Sequence, residues 1–123
     1  MLTLAHEIIC SDEDQIIADY LILGYTDSLD LVVYIRSHDA EKGCSKYVVA
    51  AFVEKEDAYY LAHRLNTSMK ELPAVLAQEF DNDIINADRD QVSDMFKDIV
   101  EFLSDNKCRY KIVSSPRSLE SLG

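Results

Sequence analysis

The segment "KYVVAAFV" (46–53) constrains the fold most, because it is nearly apolar at every position. Successive side chains of a β-strand point to opposite faces of its sheet, so a strand with one exposed face alternates apolar and polar residues. This segment does not alternate, which predicts a strand that is covered on both faces. It belongs at the centre of a sheet, or in a sheet whose second face is covered, and another chain could supply that cover.

Two segments before it predict a β-hairpin. Residues 16–25 ("IIADYLILGY") and 29–37 ("LDLVVYIRS") are rich in β-branched and aromatic residues, and the "TDS" between them has the composition of a turn. Residues 38–45 ("HDAEKGCS") are predicted to form a loop before the third strand. The opening segment "MLTLAHEIIC" is apolar enough to join the core, either as a strand or as a short helix.

From Glu54 onward the spacing of apolar residues becomes helical. It predicts three helices, one that starts at Glu54, one over 66–80 and one over 91–106. Their apolar stripes are Ala58, Leu61, Ala62 and Leu65 in the first helix, Met69, Leu72, Leu76 and Phe80 in the second, and Val92, Met95, Phe96, Ile99, Val100 and Leu103 in the third. Asp88 or Asp90 is predicted to cap the third helix, because Asp is a favoured N-cap residue.

The start of the second helix carries its own signals. Ser68 and Glu71 have the spacing of a capping box, with Thr67 as the rival cap. Pro73 lies close enough to that start to be tolerated in a helix.

Residues 107–115 ("KCRYKIVSS") alternate as a strand does, which completes the predicted architecture. We expect an α+β fold with an antiparallel sheet of about four strands packed against helices, in the order β-β-β-α-α-α-β, with room for an extra N-terminal element. Residues 1–115 are predicted to form one α+β domain and residues 116–123 a flexible C-terminal tail.

Charge bounds the partners that we expect. The chain has 23 acidic and 12 basic side chains, a net charge of −11, which disfavours direct nucleic acid binding because phosphates are repelled. The same field favours encounter with a basic protein, although acidity often serves solubility alone. No basic and apolar leader opens the sequence, no segment approaches 18 apolar residues, and the three cysteines are far apart. We expect a cytoplasmic protein without membrane association or a disulfide framework.

Catalytic motifs are missing from the sequence. It contains no G-x-G-x-x-G, no P-loop and no G-x-S-x-G, and its histidines, His6, His38 and His63, form no metal-binding pair. Cys44 follows His38 within the predicted loop, but this spacing alone does not make a nucleophile and its base. We therefore predict no catalytic residue, no cofactor, no metal and no enzymatic activity.

The acidic segment 81–90 resembles a calcium loop only superficially. Asp81 and Asp83 have suitable spacing, but Ile85 and Asn86 stand where an EF-hand needs an oxygen ligand and a glycine. A solvated linker between helices is the favoured interpretation.

One surface is the best candidate for partner binding. Its predicted residues are Glu54, Glu56, Asp57, Tyr59, Tyr60, Asp81 and Asp83. Tyr59 and Tyr60 point about 100° apart on a helix, so at least one of them is expected to be partly exposed and to serve as an anchor. The alternative is that the acids only stabilise the helix start, where the helix dipole favours anions.

The last segment reverses the charge. Residues 107–123 carry four basic side chains and one acidic side chain, so we expect them to pair with neighbouring carboxylates. A basic sheet edge that discourages aggregation is the alternative.

Three functions are therefore carried forward. The first is a small acidic protein-binding module, of the inhibitor or immunity type, that neutralises a basic protein partner. The second is a homo-oligomeric structural or regulatory domain, for example a homodimer that completes or covers the sheet. The third is a small-ligand-binding domain or enzyme with a site between sheet and helices, lined by Tyr20, Tyr34 and His38.

Overall fold

The computed structural model describes residues 2–11, 15–80 and 87–114 of the chain. Five antiparallel strands form one sheet in the order β1-β2-β3-β4-β5, and three helices lie between β4 and β5 in the sequence. The bounds are β1 Thr3–Cys10, β2 Ile17–Tyr25, β3 Leu31–Asp39, β4 Cys44–Val53, α1 Lys55–Arg64, α2 Leu72–Phe80, α3 Arg89–Asp105 and β5 Lys111–Ser114. The predicted α+β class is confirmed, and the sheet has five strands because the opening segment is a strand.

All three helices contribute to a core on one face of the sheet. α2 packs on β1 and β2, and α3 packs on β2 and β3. Alternate residues of the central strands point into this core, as the two-residue period of a strand requires. Its fully buried side chains include Leu21, Leu23, Leu31, Val33, Val53, Leu61, Leu72, Leu76, Ile99 and Leu103. Each buried leucine or valine contributes about 1.5–3 kcal/mol relative to its exposed state.

β4 confirms that the segment 46–53 is apolar on both faces. Ala51 and Val53 are buried in the helix-covered core, whereas Ala50 is buried on the opposite face beside Val32 and Tyr34. Among the described residues, no helix residue belongs to this second cluster. We call the side of the sheet that holds it the open face.

The prediction of a loop over 38–45 is wrong. β3 continues to Asp39 and β4 begins at Cys44, so the two strands extend into a hairpin with a short turn. Gly43 makes this turn with a φ of 65°, a left-handed conformation that glycine adopts without strain. Strand pairing therefore overrides the polar composition of the segment.

Two other elements, the second helix and the last strand, are shorter than predicted. α2 begins at Leu72 rather than near residue 66, because Ser68 organises a turn first, accepting a hydrogen bond from the Glu71 amide on its hydroxyl at 3.2 Å. Pro73 consequently lies in the first helical turn, where its missing N–H costs little. β5 begins only at Lys111, because the amides of Lys107 and Cys108 donate to Ser104 and Leu103 of α3.

The helix starts use two kinds of cap. Asp88 caps α3 in a capping box, in which its carboxylate accepts from the Gln91 amide and the Gln91 side chain accepts from the Asp88 amide, each at 2.8 Å. Glu54 precedes α1 but makes no side-chain cap. Instead, Asp30 from the β2–β3 turn accepts a hydrogen bond from the Lys55 amide at 3.1 Å.

A buried carboxylate fastens α3 to the sheet. Asp19 on β2 is only 6% exposed and accepts hydrogen bonds from the Ser37 hydroxyl on β3 and from Arg89 Nε on α3, the latter at 2.9 Å. The Asp19 amide donates to the Ser11 hydroxyl at 2.7 Å, and Ser11 bridges to Ala87 just before α3. Both charges of the pair are therefore compensated, as burial of a carboxylate requires.

β1 is an edge strand of irregular geometry. Its pairing with β2 shifts register twice, between Thr3 and His6 and between Glu7 and Ile9. A side chain at Gly24 would meet the backbone of Thr3 and Ala5 at 3.0–3.1 Å, so glycine permits this close approach. Irregular edges of this kind discourage pairing with the strands of other molecules.

Within the described ranges, no helix combines the length and the apolar character that crossing a membrane would require.

Candidate partner-binding cleft

A cleft of roughly 490 Å³ lies where α1 meets the start of β1 and the turn between β2 and β3. Four segments line it: the start of β1, the β2–β3 turn with the end of β2, the first half of α1, and the link between α1 and α2. The lining residues are Thr3, Leu4, Tyr25, Leu29, Lys55, Glu56, Tyr59, Tyr60, Met69 and Lys70. We call this site the α1 cleft, and its volume lies in the range of about 300–1,000 Å³ that is common for binding pockets.

Tyr25 is the most buried of the residues that line the cleft. It is the last residue of β2, it is 2% exposed, and its hydroxyl donates a hydrogen bond of 2.6 Å to the Met69 carbonyl. Burial raises the pKa of Tyr25 to about 12, so this hydroxyl stays protonated and keeps donating. The bond holds the α1–α2 link against the end of the sheet, which fixes that wall of the cleft.

The rim of the cleft is formed by exposed apolar side chains. Tyr59 and Tyr60 are 59% and 61% exposed, and Leu4 and Leu29 are each 44% exposed. The two tyrosine rings meet edge to face with their centroids 5.9 Å apart, a favourable aromatic geometry. Contiguous exposed apolar groups around a concavity are typical of a surface that binds another molecule.

Leu4 and Leu29 also have strained backbones. Their φ angles are 53° and 65°, in the left-handed region that glycine and asparagine tolerate best. A non-glycine residue in this region costs roughly 1–2 kcal/mol. Bulky, exposed leucines here favour neither stability nor solubility, and strain of this kind concentrates at functional sites.

The predicted acidic cluster divides in two. Asp57 turns away from the cleft and accepts hydrogen bonds from the backbone amide, Nε and Nη2 of Arg109, at 3.0, 3.1 and 3.3 Å. The side-chain hydrogen bonds from Arg109 lower the pKa of Asp57, and Asp57 in turn raises the pKa of Arg109, with smaller contributions from Glu54 and Glu56. The expected pairing between the basic last segment and neighbouring carboxylates is therefore observed at Asp57.

The charges beside the cleft are mixed. Glu56 lines it together with Lys55 and Lys70, while Glu54 is exposed just before α1. The acids of the α1 start therefore do not make a uniformly negative rim. Any attraction of a basic partner comes from the field of the whole chain rather than from the cleft walls.

Five of the seven residues predicted to bind a partner can be placed. Tyr59, Tyr60 and Glu56 line the cleft, Glu54 is its neighbour, and Asp57 belongs to the ion pair with Arg109. Asp81 and Asp83 lie outside the described residues, together with most of the predicted linker. Both tyrosines are exposed, which confirms the expectation drawn from their adjacency.

His38 and Cys44, whose spacing alone predicts no catalytic pair, lie on opposite faces of the hairpin. His38 pairs with Ser45, and its Nδ1 lies 2.7 Å from the Ser45 hydroxyl, whereas Cys44 pairs with Asp39 on the other side of the hairpin. Consecutive strand residues face opposite sides, so His38 and Cys44 do not form a nucleophile–base pair. Tyr20, Tyr34 and His38 share a face, but it is the open face and not the space between sheet and helices.

Within ranges 2–11, 15–80 and 87–114, no three His, Cys, Asp or Glu side chains are placed to hold a metal ion together.

Three of the ten residues that line the cleft, Glu56, Tyr59 and Tyr60, were predicted from the sequence. The exposure of the tyrosines could be predicted because two adjacent residues of a helix cannot both face the core. Leu4, Leu29 and Met69 come from three segments whose proximity depends on the tertiary fold. The exposure of Leu29 had one available signal, since it directly follows the polar turn residues Asp27 and Ser28. Leu4 offered none, because an apolar residue in a strand is ordinarily taken as core.

Comparison with known proteins found no matching family model, no matching curated protein and no matching solved structure.

Proposed function

We propose that this chain is a non-catalytic protein-binding module whose α1 cleft receives an apolar side chain of a basic partner protein. The observation that carries the proposal is the ring of exposed Tyr59, Tyr60, Leu4 and Leu29 around a cleft of roughly 490 Å³. Aromatic anchors around an apolar pocket are the groups that dominate binding energy at protein interfaces. An inhibitor or immunity-type role, in which the partner is neutralised, fits such a module.

The two parts of the surface have different tasks in this proposal. The apolar rim holds the partner and so sets the dissociation rate. The net charge of −11 accelerates encounter with a basic protein and so sets the association rate and its salt dependence. The acids at the α1 start and the tyrosines can therefore be separated by kinetics.

A site-specific crosslinking experiment tests the proposal first. A photo-reactive phenylalanine derivative replaces Tyr60 in one sample and exposed Lys97 on α3 in the control, and both are irradiated in lysate of the native host. We expect one basic protein to crosslink at position 60 and not at position 97. Equal labelling at the two positions would contradict a dedicated cleft.

Binding kinetics, measured with the purified partner that crosslinking identifies, complete the test. Tyr59→Ala/Tyr60→Ala is expected to raise the dissociation rate at least about tenfold, the effect of losing about 1.4 kcal/mol. Glu54→Lys/Glu56→Lys is expected to lower the association rate and flatten its salt dependence, with little change in dissociation. The proposal fails if the double tyrosine variant binds as the wild type does.

A small apolar molecule is the second candidate occupant. The volume of the cleft suits one, exposed apolar side chains form its rim, and the Tyr25 hydroxyl is already engaged by Met69. A thermal-shift screen of apolar fragments, repeated with Tyr59→Ala/Tyr60→Ala, tests this alternative. Fragments that stabilise the wild type and not the variant would favour ligand binding over protein binding.

A further inference from the structure

The open face of the sheet is a second surface, separate from the α1 cleft. The strand register places on it a belt of large side chains: Tyr20, Ile22, Tyr34, Arg36, Tyr47 and Phe52. The pairing of β3 with β4 shifts by one residue between Ile35 and Arg36. Ile35 pairs with Val49 and Arg36 pairs with Tyr47, so Val48 forms a bulge between them. Ile22, Tyr47 and Phe52 pack around the buried Val32, Tyr34 and Ala50, so this face has an apolar cluster of its own.

The Arg36 side chain on the open face has a hydrogen-bond donor without an acceptor in the part of the chain that the structure describes. Its guanidinium carbon lies 5.0 Å from the centroid of the Tyr20 ring, a cation–π distance. Its Nε is buried and has no hydrogen-bond partner among the described residues. A buried donor without an acceptor costs about 1–3 kcal/mol.

The open face is nearly neutral on a strongly acidic molecule. The strand register places Glu7, Arg36 and Lys111 on it, so within the five strands only one of the chain's 23 acidic side chains faces this side. Two copies with a net charge of −11 each repel one another, and this repulsion is weakest where the facing surfaces carry the fewest acidic side chains. Glu7 and Arg36 have opposite charges, so a two-fold pairing can bring each Arg36 an acceptor from the facing copy.

The size of the face matches the requirement of a dimer. The strands contain 8, 9, 9, 10 and 4 residues. With about 3.3 Å per residue and about 4.8 Å between strands, one face covers roughly 600 Å². Two copies in full overlap would bury roughly 1,200 Å² before side-chain relief is counted, which is the lower limit of the range of about 1,200–2,000 Å² for stable interfaces.

We propose that a second copy of this chain packs on the open face, forming a two-fold homodimer in which two sheets meet face to face and each copy covers Arg36, Tyr20 and Tyr47 of the other. Packing of two sheets in this manner is a common architecture of protein cores. A basic partner is a poor fit for this face, because it offers one carboxylate against two basic side chains. The α1 cleft is lined by the end of the sheet and by α1, so each copy keeps its cleft and the dimer is bivalent.

Sedimentation equilibrium over a range of protein concentrations tests the dimer. The wild type is expected to show a monomer–dimer equilibrium, and Tyr47→Lys is expected to weaken it at least about tenfold, which corresponds to about 1.4 kcal/mol. Tyr60→Lys, the same exchange at the α1 cleft, is the matched control and is expected to dimerise as the wild type does. Circular dichroism checks that each variant is folded.

Hydroxyl-radical footprinting of the wild type supplies a test that depends on no variant. Oxidation of Tyr47 and Phe52 is expected to fall as the protein concentration rises, while oxidation of Tyr59 and Tyr60 stays constant. A chain that is monomeric at every concentration would overturn the proposal. A dimer that survives Tyr47→Lys, or that protects Tyr59 and Tyr60 instead, would overturn it as well, because the interface would then lie elsewhere.

Discussion

Asp19 shows how one buried carboxylate can join distant parts of a chain. It lies on β2, and its two oxygens accept from Ser37 on β3 and from Arg89 at the start of α3. No short-range motif in the sequence links these three residues, which are up to 70 positions apart. In the sequence, Asp19 is a single acidic residue within a predicted strand. Its neighbours therefore do not indicate that it is buried.

Replacement of Asp19 is expected to destabilise the protein. In Asp19→Ala, Ser37 loses its acceptor in a buried site and α3 loses its ionic contact with the sheet, so we expect a loss of about 1–3 kcal/mol in the free energy of unfolding. Urea denaturation measures it. Asp98→Ala, at an exposed position on α3, is the matched control and should change stability by less than about 0.5 kcal/mol. Equal effects of the two variants would show that the Asp19 network is energetically idle.

The Asp57–Arg109 pair predicts a dependence of stability on acid pH. Arg109 lowers the pKa of Asp57 below its ordinary value of 3.8. The charged carboxylate is therefore more stable in the folded state than in the unfolded state. Its contribution is complete above the unfolded pKa and is lost as pH falls through the folded pKa. Arg109→Ala is expected to raise the pKa of Asp57 from its low value in the wild type toward 3.8. NMR titration of the side-chain carboxyl measures this change.

A matched comparison isolates this pair. Arg64→Ala removes another basic side chain from the same helix as Asp57 and should leave the Asp57 titration closer to that of the wild type than Arg109→Ala does, because Arg64 makes its hydrogen bond to Asn106 instead. An unchanged Asp57 pKa in Arg109→Ala would mean that the ion pair does not persist in solution.

At the scale of elements, periodicity predicted types better than boundaries. α3 was predicted within two residues because its apolar stripe is unbroken and its cap, Asp88, is of a favoured type. The second helix was predicted too long, since the hydrogen bond from the Glu71 amide to the Ser68 hydroxyl closes a turn and not the helix itself. The polar composition of residues 38–45 predicts a loop, whereas pairing between β3 and β4 extends both strands into this segment and leaves a short turn.

The cap of α3 gives a prediction for that element. Asp88→Ala removes the acceptor for the Gln91 amide and is expected to lower the free energy of unfolding by about 1 kcal/mol, within the usual 0.5–2 kcal/mol for an N-cap. Asp90→Ala removes a carboxylate from the first turn without removing the cap and should cost only a few tenths to about 1 kcal/mol. Thermal and chemical denaturation compare them. A larger loss in Asp90→Ala would assign the stabilisation to the helix dipole instead of the cap.

At the scale of the whole molecule, the charge is concentrated away from the open face. The excess of acids must therefore crowd the remaining surface, where like charges lower the stability of the folded state. Composition alone could not locate the candidate cleft, which is assembled from strand, turn and helix residues distant in sequence, or the open face, which is assembled from neighbouring strands. What composition did supply was the sign of the field around them.

This crowding predicts a response to salt. The midpoint of urea denaturation is expected to rise when NaCl is increased from low to moderate concentration, because screening over about 10 Å at 0.1 M weakens the repulsion among exposed acids. KCl at equal ionic strength is the control and should give the same shift. A midpoint that stays constant, or that depends on which cation is used, would point to specific ion binding or to balanced charges.

The strand order has a consequence for how the chain emerges from the ribosome. Each of β2, β3 and β4 pairs with the strand made just before it, so the meander can form by successive local steps that need little loop closure. All four strands are synthesised before the first helical residue, Lys55. The nascent sheet therefore presents both of its apolar sides to water until α1, α2 and α3 follow, and β5 can pair with β4 only at the end. Until the helices are made, the apolar side chains on the core face of the sheet have no helix to pack against.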